Sequence, residues 1–95
     1  MFRARETAVK RDIVISNKLG MHARPASLIV QTASRFRSDV RVIKNKQEID
    51  GKSILGLLML AAGQGTTLTL AASGEDAVEA VDALEQLFNS KFGEE

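Results

Sequence analysis

The chain has 95 residues, 44% of them hydrophobic, enough for one modest core and too few for two. Thirteen Lys and Arg against twelve Asp and Glu leave a formal charge of +1, which gives no whole-chain attraction to nucleic acid or membrane. The absence of cysteine excludes disulfides, thiolate metal sites and Cys nucleophiles, and a single histidine excludes multi-histidine metal clusters. Residues 1–10, with Arg3, Arg5 and Lys10 against Glu6, show no apolar period and read as a flexible basic extension, of which a few residues could lengthen the first strand. One domain follows over 11–92, and 93–95 form an acidic tail. The start lacks the apolar stretch of a secretion signal, and no run nears the roughly 18 residues of a membrane span, so a cytoplasmic domain without membrane insertion is expected. All four aromatics are Phe, which leaves little for stacking on bases and counts against a single-strand nucleic-acid platform.

Asp12-Ile13-Val14-Ile15-Ser16 is short and β-branched and predicts a strand. Ala26, Ile29, Val30 and Ala33 then fall on one helical face, with Phe36 at its end, so a first helix begins close to His22. Val40, Val42 and Ile49 around Asn45-Lys46 predict a hairpin of strands near 39–44 and 47–50. Ser53 suits the N-cap of a short second helix running to about Ala61, and Gly63 and Gly65 end it. From Thr66 to Ala72, Thr alternates outward with Leu68, Leu70 and Ala72 inward, as in a strand with one wet face. The pattern Ser73-Gly74-Glu75-Asp76 predicts a capping box for a last helix, whose stripe is Ala77, Val81, Leu84 and Phe88. The order β-α-β-β-α-β-α predicts a two-layer α/β sandwich, a mostly antiparallel sheet with helices on one face.

The segment from Asn17 to Ala26 is the most informative. Pro25 marks a first helical turn, because its φ is already helical and its missing N–H is no loss there. His22 then lies where unpaired amides and the helix dipole favour an anion, and Arg24 adds a guanidinium that pairs with phosphate oxygens. A neutral ring nitrogen beside cations is the equipment of a phosphoryl acceptor. A histidine at a helix start also serves simply as a cap or surface residue, and spacing alone does not separate the two. Helix two carries Ile54, Leu55, Leu57, Leu58, Met59 and Leu60 on all sides, more than one buried face accommodates, so some must face water or a partner. Leu28 falls off the apolar stripe of the first helix, which predicts an exposed leucine near His22.

Gly20-Met21-His22-Ala23-Arg24-Pro25-Ala26, with Asp50 to Ile54 and Gln64-Gly65-Thr66, resembles the histidine-containing phosphocarrier family HPr of the bacterial phosphoenolpyruvate:sugar phosphotransferase system. The resemblance covers roughly residues 11–90 and implies an open-faced β-sandwich, a four-stranded antiparallel sheet with three helices on one side. It implies that Nδ1 of His22 accepts a phosphoryl group from phosphorylated enzyme I and passes it to an enzyme IIA domain. Arg24 would assist, helped by the backbone N–H groups of Ala23 and Arg24. It implies no metal or organic cofactor, a monomer, and a docking surface of Met21, Ser27, Leu28, Ile54, Leu55 and Leu58, with Leu57 and Leu60 in the core. Arg24 and Lys52 would form its cationic rim. It further implies that HPr kinase/phosphorylase, where present, phosphorylates Ser53.

Gly51-Lys52-Ser53 superficially matches the end of a nucleotide-binding P-loop, but Lys46 stands where that motif needs glycine. Leu19 replaces a small polar residue that some family members place at the phosphate site, and the ending from Leu87 to Phe92 looks more like the nitrogen-related branch, NPr, than the sugar branch. A rival of another class is a purely regulatory binding module acting through the Ser53 face. The presence of His22 and Arg24 together argues against it.

Overall fold

The computed structural model describes residues 8–94. Four strands, β1 (Val9–Val14), β2 (Asp39–Lys44), β3 (Gln47–Asp50) and β4 (Thr67–Ser73), form one antiparallel sheet in the order β1-β4-β2-β3. Three helices, α1 (Ala23–Ala33), α2 (Ile54–Met59) and α3 (Ala77–Asn89), and a short terminal turn over Lys91–Gly93 complete the chain. This is the expected order and the expected open-faced sandwich, with the helices on one side of the sheet.

The alternation in β4 sets the two faces. Leu68, Leu70 and Ala72 are fully buried toward the helices, while Thr67 and Thr69 point to the open face. Val40 and Val42 of β2, Ile13 of β1, Ile29 of α1, Leu57 of α2 and Val81, Leu84 and Phe88 of α3 close the core around them. Leu57 and Leu60 are buried, as the resemblance implied. The hairpin bounds match the expectation, with Asn45 taking the left-handed conformation (φ 56°) at the tip that asparagine tolerates best.

Two element starts differ. The first strand begins at Val9 rather than Asp12, because the register Val9 with Ala72 and Lys10 with Ala71 extends its ladder on β4. Val9 and Lys10 of the expected basic extension are therefore strand residues, and 1–7 lie outside the described residues. The last helix begins at Ala77 with Asp76 as N-cap residue, so Ser73 ends β4 instead of capping α3. The Asp76 carboxylate accepts hydrogen bonds from the amides of Arg37 and Ser38, each at 2.9 Å, and from the Ser38 hydroxyl. These bonds tie α3 to the turn after α1, and they hold the Asp76 carboxyl below its ordinary value, the Ser38 hydroxyl contributing most.

After α3 the backbone turns left-handed at three successive residues, Lys91 (φ 58°), Phe92 (φ 57°) and Gly93 (φ 72°). For residues with a Cβ this costs on the order of 1–2 kcal/mol each. Phe92 offsets it by burying its ring edge-on against Phe88, centroids 4.9 Å apart. Full burial of such a ring stabilises by about 1.5–3 kcal/mol.

Candidate functional site

The loop from Asn17 to His22 is pinned from below by the segment after α2. The Met21 amide donates to the Ala62 carbonyl at 2.8 Å, and the Gly65 amide donates to Ile15 at 2.8 Å. The Gln64 side-chain amide reaches the Ser16 carbonyl. Gly20 has φ 69°, and a Cβ there would lie 2.7 Å from the Ala62 carbonyl oxygen, so both conformation and contact require glycine. This gives Gln64, Gly65 and Thr66 a physical role: they hold the loop that presents the histidine.

His22 is the N-cap residue of α1, extended at φ −114° and ψ −172°, and its side chain caps nothing. The first intrahelical acceptor is its own carbonyl, taken by the Ala26 amide at 3.0 Å, so the amides of Ala23 and Arg24 have no partner within the helix. Pro25 is buried in the first turn, where its lack of N–H matters least. The imidazole is 36% exposed. Its Nε2 lies 2.9 Å from Oε1 of Glu94, and Nδ1 makes no hydrogen bond to a described residue. The Arg24 guanidinium is half-exposed; Nη1 donates to the Phe92 carbonyl at 2.6 Å and to Oε2 of Glu94 at 3.1 Å. Nη2 and Nε have no bond to a described residue.

Glu94 was read from the sequence only as part of an acidic tail, and the structure brings it onto the histidine. Its carboxylate is 19% exposed and also accepts from Nδ2 of Asn17 at 2.9 Å. The His22 ring, then the Asn17 amide, then the Arg24 guanidinium hold the carboxyl below its ordinary value. Asn17 is fully buried, and its other N–H donates to the Gly20 carbonyl at 2.8 Å. With two acceptors facing one end of the amide, its orientation is fixed and Oδ1 is left buried without a partner. Nothing local in the sequence announces these contacts, since Glu94 and His22 are 72 positions apart.

The expected docking residues divide. Ile54, Leu55 and Leu58 are exposed on α2, as is Met59, which the resemblance did not place there. Met21 is 7% exposed and its side chain belongs to the core, while its amide donates to the Ala62 carbonyl. Leu28 is partly buried, packed against the core with part of its side chain still accessible. Ser27 is half-buried and accepts from Gln31. Lys52 extends to the Phe36 carbonyl at 3.0 Å, while Ser53 is the N-cap of α2, its Oγ accepting from the Gly56 amide at 3.0 Å. Among the described residues no group of acidic and histidine side chains could hold a metal ion, and no helix is long and apolar enough to cross a membrane.

Residues 9–90 match the family model described as the PTS HPr component phosphorylation site. A phosphocarrier protein HPr from Neisseria meningitidis serogroup A is 51% identical over 86 residues, covering 90% of this chain and 97% of that protein. A phosphocarrier protein NPr from Shewanella violacea is 41% identical over 88 residues, covering 93% of this chain and 97% of that one. Among solved structures, that of HPr-C-His from Thermoanaerobacter tengcongensis superposes with a TM-score of 0.88 at 48% identity, covering 92% of this chain and 98% of that chain. Fold, loop and sequence agree: the chain belongs to the HPr phosphocarrier family of the phosphotransferase system.

Proposed function

We propose that the chain is a phosphoryl carrier of the phosphoenolpyruvate-dependent phosphotransferase system, in which Nδ1 of His22 takes a phosphoryl group from phosphorylated enzyme I and gives it to an enzyme IIA domain. The observation that supports this most is the His22 ring itself, half-exposed and bonded through Nε2 alone, beside helix amides that lack acceptors. The Nδ1 lone pair attacks phosphorus, the N–P bond forms, and the donor leaves with the electron pair of the bond it loses. The next acceptor reverses the step, and the pair of the N–P bond returns to the ring. Arg24 offers Nη2 and Nε to the equatorial oxygens, with the Ala23 and Arg24 amides as further donors. Ile54, Leu55 and Leu58 give successive partners an apolar surface to share, with Ser27 at its margin and Arg24 and Lys52 supplying positive charge to acidic partner faces.

Similarity to both an HPr and an NPr protein is compatible with relay toward sugar uptake or toward nitrogen-linked regulation; the carrier step is the same in either. Phosphorylation of Ser53 by HPr kinase/phosphorylase is a second, regulatory layer. Its hydroxyl directly precedes Ile54 and Leu55, so a phosphate there adds negative charge to the docking surface and unseats partners.

Incubation with phosphoenolpyruvate and enzyme I is expected to add one phosphoryl group in an acid-labile, base-stable linkage, absent in His22→Ala. Label that persists in His22→Ala overturns the reading. With the cognate kinase and ATP, an acid-stable label that disappears in Ser53→Ala supports the regulatory layer, and no labelling at Ser53 refutes it.

A further inference from the structure

Glu94 lies beyond residue 90, where the match to the family pattern stops, yet it makes the only hydrogen bond of the His22 ring to a described residue. We propose that Glu94 is a positioning residue for phosphoryl transfer: its carboxylate keeps the hydrogen on Nε2, leaves the lone pair on Nδ1, and balances the positive charge the ring acquires as Nδ1 bonds to phosphorus. This rests on the carrier reading of His22.

Three independent features bring the carboxylate there. Phe92 is buried in the core and fixes the start of the tail. The left-handed run at Lys91, Phe92 and Gly93 reverses the chain toward α1, a conformation that persists only where its surroundings enforce it. Asn17, fully buried, directs one N–H at Oε1 of Glu94 and would lose a partner without it. Arg24 adds a fourth tie, through the Phe92 carbonyl and Oε2 together. A side chain merely lying on the surface would not be held by three donors.

An ionised carboxylate only accepts hydrogen bonds, so the nitrogen 2.9 Å from Oε1 must carry the proton. In the neutral ring the other nitrogen then holds the lone pair, which is the arrangement needed for attack through Nδ1. Because Oε1 meets the Nε2 edge of the ring, the carboxylate does not occupy the position that phosphorus takes at Nδ1. When the N–P bond forms, Nε2 keeps its hydrogen and the ring becomes cationic; no proton has to move in either direction of transfer. A carboxylate at Nε2 stabilises that cation and the transition state leading to it, the logic by which a buried aspartate serves a catalytic histidine.

The test uses the full chain, its Glu94→Gln and Glu94→Ala variants, and two readouts. The first is the tautomer of His22 at neutral pH, read from long-range ¹H–¹⁵N correlations of the ring. The second is the single-turnover rate of phosphoryl uptake from phosphorylated enzyme I. The wild-type ring is expected to show a protonated Nε2 and an unprotonated Nδ1, both signals shifting in the variants, with uptake slowed about ten- to a hundredfold. Glu94→Gln preserves size, so unchanged thermal unfolding of that variant separates the effect from loss of fold. A wild-type ring protonated on Nδ1, or variants that accept phosphate at the wild-type rate, overturns the proposal. Slower uptake with an unchanged ring spectrum also overturns it, because it assigns Glu94 to partner contact. In both latter cases the acid-labile label still forms and the carrier reading stands; a wild-type chain that takes no label overturns the carrier reading and the proposal with it.

Discussion

Gly20 illustrates how little room the histidine loop has. An alanine there is forced to φ 69° and drives its methyl against backbone at Ala62 and Gly63, 2.7 and 2.8 Å away, where no side chain can yield. Gly20→Ala is expected to cost at least about 1 kcal/mol, lowering the midpoint of thermal unfolding by about 4–8 °C per kcal/mol for a domain of this size. It should also slow labelling of His22, because the loop shifts. Calorimetry and the labelling assay together check this; an alanine variant of wild-type stability means that the loop relaxes freely. At this scale the sequence was informative where the cause is local. Pro25 marks a helix start and Ser53 caps one, for reasons confined to a few neighbouring residues. The resemblance places Met21 on the docking surface and says nothing of the packing that buries its side chain, and Leu28 reads as more exposed than it is because the pattern says nothing of the rotation of α1 on the core. Asn17 and Glu94 were illegible for the same reason: their partners are set by tertiary closure.

The elements show where helix ends are decided. Both Ser73 and Asp76 are competent N-caps by residue type, and Asp76 takes the position without its side chain capping α3: the carboxylate turns to the amides of Arg37 and Ser38 and pins the start of the helix to the turn after α1. Only the folded neighbourhood supplies those donors, so the sequence placed the helix correctly and its cap three residues early. Since the folded chain holds the Asp76 carboxyl below its ordinary value, the sign follows directly. The interaction contributes fully above the unfolded value of about 3.9 and is lost as pH falls through the lower folded value. Asp76→Asn is expected to unfold at lower temperature than the wild type at pH 7, with the gap closing as the solution is acidified below pH about 4. Thermal melts across that range check it; a gap that widens in acid contradicts this role of the carboxylate. The strands were legible because period two needs only the alternation of Leu68, Leu70 and Ala72 with threonine, whereas the early start of β1 depends on what β4 offers beside Val9 and Lys10.

Across the whole molecule, the sheet has helices on one side only, and α2 divides its apolar residues between the core and the surroundings. Leu57 is fully buried, while Leu55 and Met59 are 69% and 66% exposed. Leu57→Ala should therefore cost about 2–5 kcal/mol of stability. Leu55→Ser and Met59→Ser should leave the melting midpoint nearly unchanged and weaken binding to enzyme I, each by about tenfold. Titration calorimetry against melting curves separates the two classes; serine variants that bind as the wild type does remove this face from partner contact. The site has a comparable breadth. Its parts come from residues 17–24, 62–66 and 92–94, joined across the antiparallel ladder of β1 and β4. A nascent chain leaving the ribosome thus presents His22 naked, long before Ala62 or Glu94 has been translated. The ring meets the Glu94 carboxylate only once the turn over Lys91–Gly93 has docked, so this contact forms late, after the elements around it have packed.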